Sequence, residues 1–165
     1  MTSIIKVDTI QTAAGGTPTA SSLGIDLGNV GKIGQVVYVT NTTGLFTTSS
    51  SFVTTSFTGS ITPSSSSSKI LGILLCRPFT ETSSNEMVGQ ISSNRSTTPW
   101  EGYLNYNNGG AIAVQSTLTF VDTPNTTGVV TYTLKIRSTN GGSVAVHPNG
   151  ATDGTGGYIL MEVLA

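Results

Sequence analysis

Charge is the scarcest commodity in this sequence. Eight acidic and seven basic side chains amount to 9% of 165 residues, where about a quarter is usual for a soluble domain. The net charge is only −1, so there is no basic footprint for a nucleic-acid backbone and no polybasic patch for anionic lipid. Nucleic acid is therefore not an expected partner. Cysteine occurs once, at Cys76, which excludes an internal disulfide. It closes the apolar run Ile-Leu-Gly-Ile-Leu-Leu-Cys at residues 70–76, a setting for a buried inert thiol. A reactive thiol would want basic neighbours and exposure. That run is the longest apolar stretch and falls far short of the roughly 20 residues a membrane helix needs, so no membrane insertion is expected. No basic segment followed by an apolar one opens the chain, and no cleaved signal is read. The only histidine, His147, stands in Val-His-Pro with no second His or Cys beside it, a poor start for a one-chain metal site. There is no Gly-x-Ser-x-Gly elbow or comparable nucleophile signature. Catalysis is not expected, nor any cofactor. Almost nowhere does the 3.6-residue period of a helix occur.

Hydroxyls fill the space left by charge: Ser and Thr make up about three residues in ten. Such a surface holds water without ions, and the low net charge removes the usual repulsion between copies. A polar, weakly charged chain can be disordered, but 36% of these residues are hydrophobic and they recur in spaced runs, which predicts a folded β-rich domain.

The runs read as strands of five to nine residues broken by Gly, Asn, Ser and Pro. Residues 35–40 and 52–58 are β-prone, and a serine-rich loop at 62–69 leads into the apolar run 70–76, which reads as a strand buried on both faces. Residues 80–110 are harder to parse: 87–91 reads as a strand, and Asn-Asn-Gly-Gly at 107–110 as a tight hairpin turn. Residues 129–137 alternate cleanly, with Val130, Tyr132, Leu134 and Ile136 on one face and Thr131, Thr133, Lys135 and Arg137 on the other. The final strand, 158–164, sets Ile159, Met161 and Val163 on one face and Tyr158, Leu160 and Leu164 on the other, with Glu162 the polar exception. A terminus this apolar predicts a central or intersubunit strand, because free chain ends fray. Short strands joined by long returns predict an all-β fold, an antiparallel β-sandwich of jelly-roll type.

The first eleven residues, Met-Thr-Ser-Ile-Ile-Lys-Val-Asp-Thr-Ile-Gln, form one further extended segment with apolar residues on both faces (Ile4, Ile5, Val7 and Ile10). A small, polar, Gly- and Pro-punctuated stretch follows, with the composition of a linker. A sticky strand on a tether predicts an arm that docks onto something else. The expected organisation is an N-terminal arm, linker and neck at 1–32 and a sandwich head at 33–165. Ile4, Ile5, Val7, Ile10, Ile159, Met161 and Val163 are the expected assembly residues.

The opening Ser-Ile-Ile-Lys-Val-Asp-Thr-Ile-Gln at 3–11 with its Gly-rich tether resembles the start of structural and tail-fibre-like proteins of bacteriophages, especially marine and cyanobacterial ones. Ile-Thr-Pro-Ser-Ser-Ser-Ser-Ser-Lys-Ile-Leu at 61–71 looks like a recurrent stretch of the same proteins. So do Val-Asp-Thr-Pro at 121–124, Val-Thr-Tyr-Thr-Leu at 130–134 and the closing Ile-Leu-Met-Glu-Val-Leu-Ala. These short segments span the chain, without the long repeat shaft of a full-length fibre. The resemblance implies a homotrimer of jelly-roll-like protomers on a virion, assembled in the bacterial cytoplasm, with apolar strands around the symmetry axis. Its implied partners are itself, other tail or capsid proteins, and a host surface glycan.

Two functions follow from this: a tail-fibre or appendage subunit, or a capsid decoration (cement) protein that clamps neighbouring subunits. A tail-associated glycan hydrolase would need a carboxylate pair, for which Glu81, Glu86, Glu101 and Asp122 are the candidates. Solvated acids are the simpler reading. Asp153, alone in a glycine-rich loop, offers too few oxygens for Ca²⁺. The cluster Trp100, Tyr103 and Tyr106, with Asn105, Asn107 and Asn108, is a candidate glycan contact, since flat rings stack on sugar faces while amides bind hydroxyls. Trp100 and Tyr103 would equally serve as core.

Overall fold

The structure, a computed structural model, describes residues 31–147, 149 and 156–164. The N-terminal segment with Ile4, Ile5, Val7 and Ile10, the linker, most of the neck and Asp153 lie outside the described residues. Twelve strands follow in order: β1 (Ile33–Asn41), β2 (Leu45–Thr47), β3 (Val53–Ile61), β4 (Lys69–Cys76), β5 (Pro78–Thr80), β6 (Asn85–Ser93), β7 (Trp100–Asn107), β8 (Ile112–Ala113), β9 (Ser116–Asp122), β10 (Val130–Ser138), β11 (Val144–Val146) and β12 (Gly156–Val163). There is no helix among the described residues.

The pairing has a simple rule. β1 pairs with β12, β2 with β11, β3 with β10, β4 with β9, β5 with β8 and β6 with β7, always antiparallel. The first half of the domain thus runs back along the second as one long hairpin whose tip is residues 94–99. Further ladders join β12 to β4, β10 to β6 and β11 to β5, and wrap that hairpin into layers. One sheet has the order β1-β12-β4-β9 and the opposing sheet β3-β10-β6-β7. A short sheet, β2-β11-β5-β8, repeats the order of the first with the strands adjoining each in the chain, so it prolongs that sheet past a break. Pro78, which cannot donate to a ladder, opens β5 just after the break at Arg77. The fold is an antiparallel β-sandwich.

Alternation fills the space between the layers. Val130, Tyr132, Leu134 and Ile136 of β10 are fully buried, facing Ile70, Leu74, Tyr158 and Leu160 of the first sheet and joined there by Phe57, Met87 and Ile91. Two glycines make room for rings. At Gly72 a Cβ would run into the Phe120 ring, and at Gly59 it would stand 2.8 Å from Cβ of Tyr158. Phe120 stacks on Tyr132 at 4.8 Å between centroids, and the buried Tyr132 hydroxyl donates to Asp122 Oδ2 at 2.9 Å. Burial, and secondarily the Asp122 carboxylate, hold that phenol protonated.

Two expectations need correction. Residues 70–76 are not buried on both faces: Ile70, Leu74 and Cys76 point inward, while Leu71, Ile73 and Leu75 lie half-buried on the outside, because the second sheet covers this one on a single side. Asn107–Gly110 turns the chain but makes no hairpin. β7 pairs with β6 and β8 with β5, so this turn carries the chain from one layer to the other. Asn107 pins it, donating to the Thr80 carbonyl at 3.0 Å and accepting from the Gly109 amide at 2.8 Å. Composition locates a turn; it does not name the strands that the turn joins.

Candidate functional site

The outer face of the sheet β1-β12-β4-β9 is built from rungs of directly opposed residues. Val36, Met161, Leu71 and Val121 form one rung, and Tyr38, Ile159, Ile73 and Thr119 the next. Ile33, Val163 and Lys69 flank them on one side, and Thr40, Gly157, Leu75 and Thr117 on the other. Lys69 is the single charge on these rungs, at their end. Val36, Tyr38 and Val121 are 58%, 57% and 57% exposed, and Leu71, Ile73, Leu75, Ile159, Met161 and Val163 are half-buried. An antiparallel sheet with one face on the core ordinarily turns a polar face to water; this one turns valine, isoleucine, leucine, methionine and tyrosine. Four strands about 4.8 Å apart and six or seven residues long make a face of about 400 Å², with Thr40, Thr117 and Thr119 at its margins, in the range of the largest apolar patch on an ordinary monomer, which is often functional. β12 is the second strand of this sheet, with Ile159, Met161 and Val163 along the middle of the face.

Glu162 alternates to the other side and is buried beneath the rim. Its Oε1 accepts from both the amide and the hydroxyl of Ser64, each at 2.7 Å, and its Oε2 accepts from Gln35 Nε2 at 2.8 Å. The same Gln35 amide donates to the Thr62 carbonyl at 2.7 Å. Burial alone would raise this carboxyl, but the bonds from Gln35 and Ser64 outweigh it, and the neighbouring Ser68 hydroxyl adds its dipole without a well-formed hydrogen bond. The result is a carboxylate pushed down to about 2. The clasp ties β1, β12 and the serine loop at 62–68 into one edge. In sequence Glu162 stood out only as an exception, and the loop only as low complexity; the charge at a core-facing position was the available signal.

On the opposite layer the outer face of β3-β10-β6-β7 carries Thr54, Thr58, Ser60, Thr131, Thr133, Lys135, Arg137, Gln90 and Ser92. Two of the three aromatic candidates share that face. A β-bulge in β7 sets Leu104 and Asn105 both inward where alternation allows one, so Tyr103 and Tyr106, three residues apart, emerge together. They are 72% and 52% exposed. Trp100 turns inward instead, 4.9 Å from the Phe120 ring and 6.3 Å from Tyr132 between centroids. A shallow cup of about 220 Å³ beside Tyr103 is lined by Val88, Glu101, Gly102, Tyr103 and Arg137.

The acidic candidates are scattered. Asp122 is buried on Tyr132, and Glu81 lies exposed between β5 and β6. Glu86 faces Tyr106 while Glu101 faces Gln90, four residues further along β6, a separation along the strand of about 14 Å at roughly 3.4 Å per residue. Glycosidase pairs stand about 5–9.5 Å apart. Among the described residues no group of three or more His, Cys, Asp or Glu could hold a metal ion. His147 is buried against Phe57, 5.0 Å between ring centroids, and burial pushes the Cys76 thiol up to about 12. No described helix is long and apolar enough to cross a membrane.

No family model matches the chain, and no curated protein matches it. Among solved structures, infectious bursal disease virus Gt strain aligns at 12% identity with a TM-score of 0.44, over 81% of this chain and 34% of that one. The VP2 subviral particle of the same virus aligns at 16% identity with a TM-score of 0.40, over 79% of this chain and 37% of that one. The domain spans about a third of the length of the chains it matches.

Proposed function

We propose that this chain is a non-enzymatic structural subunit of a bacteriophage particle, of the tail-fibre or appendage type, that assembles with copies of itself around a three-fold axis. The carrying observation is the apolar outer face of β1-β12-β4-β9. Covering the part of each Val, Leu, Ile or Met side chain still exposed there recovers a fraction of the about 1.5–3 kcal/mol that full burial is worth, and a face with one rim charge meets its own copy without repulsion. A second copy of the chain is therefore its occupant. The strand orders β1-β12-β4-β9 and β3-β10-β6-β7, wound from one long hairpin, support a jelly-roll reading. Phage origin is supported by the short segments that resemble virion proteins, and attachment to other tail or capsid proteins falls to the arm at residues 1–24.

Sedimentation equilibrium of the full chain tests the assembly: a trimer at micromolar concentration is expected, and a monomer throughout that range overturns it. Counting the chain's peptides in purified particles tests the placement. Tens of copies fit an appendage, hundreds fit the decoration reading, and none removes the virion assignment.

A further inference from the structure

The cup beside Tyr103 has the attributes of a small binding site. One rung crosses it from Arg137 through Val88 to Tyr103, so a short floor residue stands between two tall walls. Arg137 and Tyr103 rise from strands two positions apart, about 9.6 Å at 4.8 Å per strand. A spacing of that order has the dimensions of one six-membered ring. The polar groups around the cup, Arg137 and Glu101, each have a partner within the chain. The Arg137 guanidinium lies over the Phe52 ring, 5.2 Å from its centroid. Glu101 Oε1 accepts from Gln90 Nε2 at 2.7 Å, on the adjoining rung. The β-bulge at Leu104 and Asn105 brings Tyr106 out on the same side as Tyr103, extending the aromatic margin. Bulges recur where a strand must re-aim a side chain.

We infer that this cup binds one neutral hexose unit of a glycan. A sugar ring has an apolar C–H face for the Tyr103 ring and Val88. It also carries vicinal hydroxyls that donate, matching the Glu101 carboxylate as acceptor. An apolar ligand would strip water from Glu101 and Arg137 without replacing it. A phosphate, sulfate or uronate would meet the Glu101 carboxylate. The charges on this face balance, Lys135 and Arg137 against Glu86 and Glu101, so the field favours neither sign. The open, shallow shape implies millimolar affinity for a single sugar, with avidity gained from several copies. The site lies on the layer away from the self-association face and holds whether or not the chain forms trimers or belongs to a virion.

Saturation-transfer NMR on the full chain tests it with D-glucose, D-galactose, D-mannose and N-acetyl-D-glucosamine, and with D-glucuronate as the charged comparison. Transfer to at least one neutral sugar is expected, lost in Tyr103→Ala and weakened at least about fivefold in Glu101→Gln, roughly 1 kcal/mol. Tyr103 is 72% exposed, so its replacement should leave thermal unfolding unchanged. Transfer to none of the four neutral sugars overturns the inference. So does transfer that survives Tyr103→Ala, or binding of glucuronate as strong as that of any neutral sugar.

Discussion

The two layers share one core and differ on their outer faces. Outside β3-β10-β6-β7 stand threonines, serines, Gln90, Lys135 and Arg137, the solvated face an antiparallel sheet normally presents. Outside β1-β12-β4-β9 stand Val36, Leu71, Ile73, Val121, Ile159, Met161 and Val163, with Lys69 the only charge. Strand propensity cannot be the cause, since threonine and valine are both β-branched and both suit a pleated sheet. The difference is in hydration. One face retains its water in the isolated chain, and the other gains by losing it. The scarcity of charge across the sequence is thus unevenly used: the charges kept on the second layer balance one another, and the first layer has almost none to desolvate.

The sharpest way to break that contrast is to place the same charge on each face. Ile73→Glu, central in β4, sets an unpaired carboxylate in the face proposed to meet a second copy. Burying it without a partner costs several kcal/mol, so self-association should weaken by at least about 100-fold, near 2.7 kcal/mol. Thr133→Glu, its counterpart on β10, should leave the sedimentation profile unchanged. Circular dichroism should show both variants folded, because both side chains point away from the core. Equal effects at the two positions would remove the distinction between the faces.

A smaller effect is expected at the clasp that holds the apolar layer's edge. Glu162 accepts from three donors, and Glu162→Gln offers one acceptor oxygen and an NH₂ group that faces Gln35 or Ser64 donor to donor. A loss of about 1–3 kcal/mol in urea unfolding at neutral pH is expected. The pH dependence carries the sign. The folded carboxyl sits near 2, below its ordinary 4.5, so the native state favours the ionised form. That stabilisation is complete above about pH 4.5 and drains away as pH falls toward 2. The wild-type chain should lose stability across that window more steeply than Glu162→Gln; parallel curves would show that the clasp carries no such linkage.

Much of this arrangement was written in local pattern. The sandwich class, the inward set of β10 and the split of β12 into two faces all follow from a period of two, and the structure keeps each one. What the pattern cannot carry is partnership between distant strands. That Arg137 stands across Val88 from Tyr103 depends on β10, β6 and β7 being neighbours, a matter of wrapping. The bulge in β7 was equally hidden. Simple alternation from Trp100 would put Tyr106 inward, and the extra inward residue at Leu104 and Asn105 reverses it. Trp100, Tyr103 and Tyr106 were adjacent on paper; the fold sends the tryptophan to the core and leaves the tyrosines outside. The clasp at Glu162 was visible as an anomaly, but its donors lie 98 and 127 residues away, beyond any local reading.

The mildest perturbation is the most discriminating about what covers the apolar layer. Val121→Thr, on the edge strand β9, keeps the shape and the β-branch and adds one hydroxyl. At 57% exposure that hydroxyl is free to bind water in the isolated chain, so melting of a dilute sample should shift hardly at all. If copies cover the face, the hydroxyl loses its water on assembly and costs about 0.5–2 kcal/mol per copy. The deficit must then grow with protein concentration, because association stabilises the folded state by mass action. Melting curves of wild type and variant should coincide at the lowest concentration and separate as it rises. Curves that stay together at every concentration would mean that the edge of the apolar layer remains in water, and would confine any contact between copies to β1, β12 and β4.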